Sequence, residues 1–208
     1  LKTDSYRGWV KIKDLNLFTK PTHRVISNST IIFSKKDIKT AFTTIYLGSQ
    51  VSVTLKNKKW SKVFLNGAFS HHMGYILTKH LVCLENKNID WVRFSENLIN
   101  TPYFWGGRTS RGIDCSALVQ LSLQTFGVNF PRDSFLQEQM EYDEVKSIDF
   151  LRRGDIIFWK GHVGIMQNNV NIIHSNAFHE KVCSEPIKDV ILRIKSNDGP
   201  ITKILRIK

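Results

Sequence analysis

Gly112-Ile113-Asp114-Cys115-Ser116-Ala117-Leu118-Val119-Gln120 runs a glycine-containing loop into a strongly apolar segment that continues to Phe126 and stops at Gly127. This spacing predicts a helix over 114–126 with the glycine as its C-terminal stop. Downstream stand three short runs rich in β-branched and aromatic residues: Asp155-Ile156-Ile157-Phe158-Trp159, His162-Val163-Gly164-Ile165-Met166 and Asn171-Ile172-Ile173-His174. Asn168-Asn169 between the last two is a hairpin-turn signal. Upstream, Ile89–Ile99 has apolar residues at 91, 92, 94, 98 and 99, a helical spacing that ends at Thr101-Pro102. Helices first and antiparallel strands after them read as α+β.

A thiol in the first turn of a helix faces unpaired backbone N–H groups and the positive end of the helix dipole. Both favour thiolate over thiol, and the same N–H groups are aimed where an oxyanion forms after attack on a carbonyl. Taken alone, such a cysteine is more often a packing residue than a nucleophile. His162 and His174 add to it, since two neighbouring antiparallel strands can bring both imidazoles to one face. One ring can then take the thiol proton while the other fixes its tautomer. A strand histidine by itself is ordinarily a satisfied core residue.

The region before residue 89 has a different rhythm. Val25-Ile26, Ile31-Ile32-Phe33, Ala41-Phe42, Val51-Ser52-Val53 and Trp60-Ser61-Lys62-Val63 are short strand-like runs separated by Ser-Asn-Ser, Lys-Asp, Gly-Ser and Asn-Lys-Lys turns. They predict a small all-β module over about 22–84. Gly8-Trp9-Val10 with Leu15 is echoed by Gly74-Tyr75-Ile76 with Leu81 at the same separation. The echo suits a turn that feeds a short final strand and a one-turn closure of a small barrel. It also implies that 1–18 is the remaining end of a second such module.

The 208 residues are 41% apolar, 11% aromatic and 23% charged, an ordinary globular composition that argues against disorder, collagen and coiled coil. No uncharged apolar run approaches the ~18 residues of a membrane-spanning helix. Thirty Lys+Arg against 18 Asp+Glu give a net charge of +12, with a pI near 9.7. Such a field favours polyanionic partners, or it is simply a basic solvated surface, since the lysines are dispersed apart from Lys56, Lys58 and Lys59. Three cysteines, an odd number, make a disulfide framework unexpected and a reducing compartment the simpler reading. The chain opens on Leu1 and shows no signal-peptide apolar stretch. His71-His72 is a weak metal signal without other ligands at metal spacing. Cys83 and Cys183 read as packing, and His179 as a residue of a cleft rim. Trp105 and Trp159 suit either a substrate channel or the core, buried aromatics being the ordinary case.

Thr101-Pro102-Tyr103-Phe104-Trp105-Gly106-Gly107-Arg108, Asp114-Cys115-Ser116-Ala117-Leu118-Val119-Gln120, Leu151-Arg152-Arg153-Gly154-Asp155-Ile156-Ile157-Phe158-Trp159, Gly161-His162-Val163-Gly164-Ile165 and His174-Ser175-Asn176-Ala177 together resemble the NlpC/P60 family of papain-like cysteine peptidases. The β module resembles a bacterial SH3 module, in Leu47-Gly48-Ser49, Val51/Val53, Trp60, Val63 and Gly74-Tyr75-Ile76. The resemblance implies an α+β papain-like domain, helices packed on an antiparallel sheet, over 89–208. It would be preceded by a small SH3-like barrel over 19–88 and by the end of a first module over 1–18.

The resemblance further implies Cys115 as nucleophile, His162 as base and His174 as orienting residue, with Tyr103, Asp114, Ser116, Arg132, Asp133, Ser134 and Tyr6 meeting substrate. Arg132 suits a substrate carboxylate and Asp133 an ammonium. The alternative for that pair is a surface ion pair with a helix cap. Many members of the family have Gly where Ala117 stands, and a methyl there is small and helix-favouring. The implied reaction is hydrolysis of the γ-D-glutamyl–diamino acid bond of murein peptides with a free N-terminal L-Ala. No metal or organic cofactor is needed, no nucleic-acid partner is expected, and peptide recycling in the cytoplasm is the setting. The alternatives are an exported wall hydrolase whose SH3 module binds the wall, and a non-enzymatic basic polymer binder.

Overall fold

A computed structural model describes residues 7–12, 19–65, 73–86 and 90–207. These fall into two compact units, one built mainly from residues up to 89 and the other mainly from residue 90 onward. Residues 7–12 carry no strand, and the rest of the expected first-module remnant lies outside the described residues, as do Tyr6, His71 and His72.

The first unit is all β, as its turn-punctuated sequence predicts. Its strands are β1 (His23–Val25), β2 (Ser29–Phe33), β3 (Ala41–Tyr46), β4 (Gln50–Lys56), β5 (Trp60–Phe64), β6 (Met73–Leu77) and β7 (Leu81–Cys83). They form one antiparallel sheet in the order β3-β2-β6-β5-β4-β1-β7. No pairing joins β3 to β7 among the described residues, so strand hydrogen bonding does not close this unit into the expected barrel. Val25, Ile32, Val51, Val63, Leu65, Ile76 and Leu81 make its core. The Gly74-Tyr75-Ile76 segment lies in β6, followed by a single 3-10 turn at Thr78–His80 and then by β7. Gly74 is where β2 crowds β6: a Cβ there would stand 2.4 Å from Ile32 Cγ2.

The second unit places helices on an antiparallel sheet. In chain order come α1 (Val92–Asn97), β8 (Arg108–Thr109), β9 (Gly112–Ile113), α2 (Cys115–Thr125), α3 (Ser134–Glu138), β10 (Asp143–Glu144), β11 (Asp155–Trp159), β12 (His162–Met166), β13 (Asn171–Asn176), β14 (Lys181–Pro186), α4 (Ile187–Asn197) and β15 (Lys203–Arg206). The main sheet runs β10-β15-β11-β12-β13-β14. Every residue of α2 is buried, its polar Ser116, Gln120 and Gln124 included; Gln120 Nε2 donates to the Phe130 carbonyl at 2.9 Å. The helix ends before Gly127, whose φ of +84° is the left-handed conformation of a helix stop. The first predicted helix is present but shorter, at Val92–Asn97. Strand β13 runs past the predicted His174 to Asn176. Amphipathic α4 lays Ile187, Val190 and Ile194 onto Ile157, Trp159, Met166, Ile172 and Ile204 of the sheet. Among the described residues no helix is long and apolar enough to cross a membrane.

Candidate active site

Asp114 starts α2 in the manner of an N-cap. Its backbone carbonyl accepts from Leu118 N–H at 3.1 Å, and its Oδ1 accepts from Ala117 N–H at 2.8 Å. Cys115 is therefore the first residue of the helix. The chain before it is pinned from two sides. Ser175 Oγ donates to the Ile113 carbonyl at 2.7 Å, and the 100–103 segment runs along β14 through Asn100 N–H to Val182 and Tyr103 N–H to Glu180, each at 2.8 Å. A parallel bridge between Tyr103 and Ile113 completes the clamp.

The β12–β13 ladder is short. Its register pairs Ile165 with Ile173 and Met166 with Ile172, and stops there. Beyond it, Val163 makes its backbone hydrogen bond to the Cys115 sulfur, joined by those of Ser116 and of Cys115 itself. The helix start thus meets the sheet where two strands part. Gly164 belongs to this arrangement, because a Cβ there would lie 2.6 Å from Ile172 Cδ1 and 3.1 Å from His174 Cβ. The missing side chain lets β13 bring its histidine toward β12.

Cys115, His162, His174 and Tyr103 line one cavity of about 380 Å³, with Lys160, Phe178 and Arg193 also on its wall. His162 Nε2 lies 2.8 Å from His174 Nδ1, and His174 Nε2 lies 2.7 Å from Glu185 Oε1. Arg193 of α4 grips both oxygens of Glu185, at 2.8 Å and 2.6 Å. Its guanidinium stands 4.5 Å over the Phe178 ring.

Burial, then the neighbouring Asp114 carboxylate, pushes the Cys115 thiol up to about 11, against the weaker help of those backbone hydrogen bonds. The sequence predicts a helix-start cysteine poised as thiolate; here desolvation outweighs the helix end, and the resting sulfur is protonated. Burial, then His174 and Arg193, brings His162 down to about 3 despite Glu185. His174 is lowered by burial despite its bond to Glu185. Burial also pushes Glu185 up, but His174 and Arg193 together hold it well below the ordinary carboxylate range. The Tyr103 phenol is raised by burial, then by Cys115 and Asp114.

Three of the residues expected to meet substrate are engaged with one another. Arg132 is buried, with Nη1 on Asp114 Oδ1 at 2.9 Å and on Ser116 Oγ at 2.8 Å, and Nη2 on Asp114 Oδ2 at 2.5 Å. Asp114 and Ser116 are equally buried, and the Asp114 carboxylate also takes Gly106 N–H and the Ser116 hydroxyl. All three side chains are spent on fixing the start of α2, a buried form of the ion-pair alternative. Asp133 is the N-cap residue of α3 and Ser134 its first helical residue, and neither is among the residues lining the cavity.

Trp105 is 82% exposed, whereas Trp159 is buried. His179 Nε2 lies 3.1 Å from Glu185, and all three cysteines are free. Glu185 and Arg193 are functional candidates that the sequence reading passed over. The apolar spacing of Ile187, Val190, Ile191 and Ile194 was the signal for α4, but nothing local marks Glu185 as a partner of His174. Ligand atoms of His174, Cys183 and Glu185 lie within 4.8 Å of one another, a spacing that suits a cation. Both Glu185 oxygens already face the Arg193 guanidinium, however, and a cation there would meet that fixed positive charge.

Residues 100–194 match the NlpC/P60 family. The chain is 29% identical over 133 residues to dipeptidyl-peptidase 6 of Lysinibacillus sphaericus, covering 60% of this chain and 48% of that one. It is 36% identical over 80 residues to the murein DD-endopeptidase MepS/murein LD-carboxypeptidase of Escherichia coli, covering 36% and 42%. The chain thus spans less than half the length of either curated relative. A crystal structure of an NlpC/P60 family protein from Bacillus cereus shares the fold, with a TM-score of 0.72 at 19% identity over 89% of this chain and 63% of that one. The family match and this shared fold fall on the same elements, so over residues 100–194 the chain is similar to the NlpC/P60 family.

Proposed function

We propose that the protein is a cysteine peptidase that hydrolyses the γ-D-glutamyl–diamino acid bond of murein peptides, acting on peptides with a free N-terminal L-Ala. The observation that carries the reading is the single cavity holding the Cys115 sulfur together with the hydrogen-bonded His162–His174 pair. Support for a murein peptide comes from the name of the Escherichia coli relative, and support for a peptidase from that of the Lysinibacillus sphaericus relative, a dipeptidyl-peptidase.

Cys115 is the nucleophile. As its sulfur attacks the amide carbonyl, the thiol proton passes to His162 and the first-turn N–H groups of α2 steady the oxyanion. The imidazolium returns the proton to the departing amine, leaving a thioester. Water, deprotonated by His162, then releases the γ-glutamyl carboxylate and the thiol. His174 holds the His162 ring, and Tyr103 stands beside the sulfur to orient the acyl group. The β unit is taken as a bacterial-SH3-type module, and recycling of released peptides in the cytoplasm is the setting.

The test is incubation with L-Ala-γ-D-Glu-diaminopimelate and its N-acetylated form, product being followed by mass spectrometry. The expected result is release of diaminopimelate from the free-amine peptide and a loss of at least about 10³-fold in Cys115→Ala. Equal cleavage of both peptides would remove the free-amine requirement, and turnover by the alanine variant would remove the mechanism.

A further inference from the structure

We propose that Glu185, held by Arg193, is a positioning residue that sets the proton order of the two-histidine relay and leaves Nδ1 bare on His162, whose ring shares its cavity with the Cys115 sulfur. The inference rests on the peptidase reading but deepens it by two residues. A carboxylate accepts hydrogen bonds and donates none, and Arg193 donates to both of its oxygens. The 2.7 Å contact to His174 Nε2 therefore requires the proton on that nitrogen. A neutral imidazole with Nε2–H has a lone pair on Nδ1, so the 2.8 Å contact from His174 Nδ1 to His162 Nε2 requires the second proton on His162 Nε2. His162 Nδ1 is then the unprotonated atom, and it is the atom that a base must present to a thiol.

The surroundings of Glu185 agree. Asn176 Nδ2 is also 3.1 Å from His174 Nε2, but its amide oxygen accepts His179 N–H at 2.7 Å. That fixes the amide nitrogen toward the ring, where it cannot accept the ring proton. Glu185, nearer and charged, takes it. His179 Nε2 at 3.1 Å and the Cys183 sulfur at 3.8 Å complete the groups facing the carboxylate. Opposite Glu185 in the β13–β14 register stands Ile172, on the same sheet face as His174, so pleat and register carry the carboxylate to the ring.

The experiment is nitrogen-15 NMR of histidine-labelled protein at neutral pH, without substrate, on wild type and Glu185→Gln, beside steady-state kinetics on the murein tripeptide. Wild type is expected to have protonated Nε2 and bare Nδ1 on both His162 and His174. In the glutamine variant, whose side chain can donate as well as accept, the His162 ring is expected to populate Nδ1–H. Its kcat should fall by roughly 10²-fold with KM within twofold. A wild-type His162 with Nδ1–H and bare Nε2 would overturn the proposal, as would a variant with unchanged ring signals and unchanged kcat. Should Glu185→Gln fail to fold, the wild-type spectrum alone decides. Should no form of the protein cleave the peptide, the peptidase reading falls, while the spectra still decide the proton order.

Discussion

A protonated Cys115 in the same cavity as a neutral His162 would make proton transfer part of the proposed attack rather than a step completed beforehand. The thiol is held up to about 11 by burial and by Asp114, and the imidazole is held down to about 3 by burial and by His174. Between those limits the resting pair is uncharged, and a substrate carbonyl has to draw the proton across. Alkylation of Cys115 by iodoacetamide is therefore expected to keep rising with pH toward about 11, with no plateau near neutrality. A plateau at pH 6–7 would mean a preformed thiolate–imidazolium pair. At this scale the sequence offered Cys115 and both histidines as candidates from residue type and neighbours alone. It did not carry the burial that raises the thiol, because burial is a property of the packed unit. Nor did it carry the Arg132–Asp114 pair, whose members stand 18 positions apart.

Helix α2 owes its start to a small polar cluster rather than to any surface feature. Asp114 caps the helix, pairs with Arg132 and binds the Ser116 hydroxyl, while Gln137 Nε2 holds the Ser116 carbonyl at 2.9 Å. Removing the carboxylate takes away the cap and leaves a buried guanidinium unpaired. Asp114→Ala is expected to cost about 3–5 kcal/mol of unfolding free energy, measured by urea denaturation. A cost under about 1 kcal/mol would place the two charges in water. Capping, the apolar run and the glycine stop are local, so the sequence foretold this helix to within a residue at each end. Helix α4 and strands β14 and β15 are weaker patterns whose formation depends on the sheet they complete.

At the scale of the whole second unit, the buried neutral histidines make stability sensitive to acid. His162 in the folded protein titrates at about 3, below its unfolded value of 6.5. Between these limits the unfolded chain binds the extra proton and the folded one does not, so stability falls as pH drops from about 6.5 toward 3. One such group accounts for about 1.4 kcal/mol per pH unit in that window. His174, also lowered, and Glu185, held low, act in the same direction. Denaturant titrations between pH 7 and 4 should show this slope, and His162→Gln should flatten it. A wild-type stability independent of pH in that range would mean that the rings are solvated.

The sequence by itself determined the elements and the reactive residue types, since helix caps, alternating strands and turn residues are decided within a few positions along the chain. It also showed strand-like runs giving way to helical spacing near residue 89. Tertiary structure alone decided the parting of β12 from β13, the burial that keeps the sulfur protonated, and the Glu185–Arg193 support behind His174. Each of these depends on strand register and on which groups exclude water from which, and neither quantity is written in any local stretch of sequence.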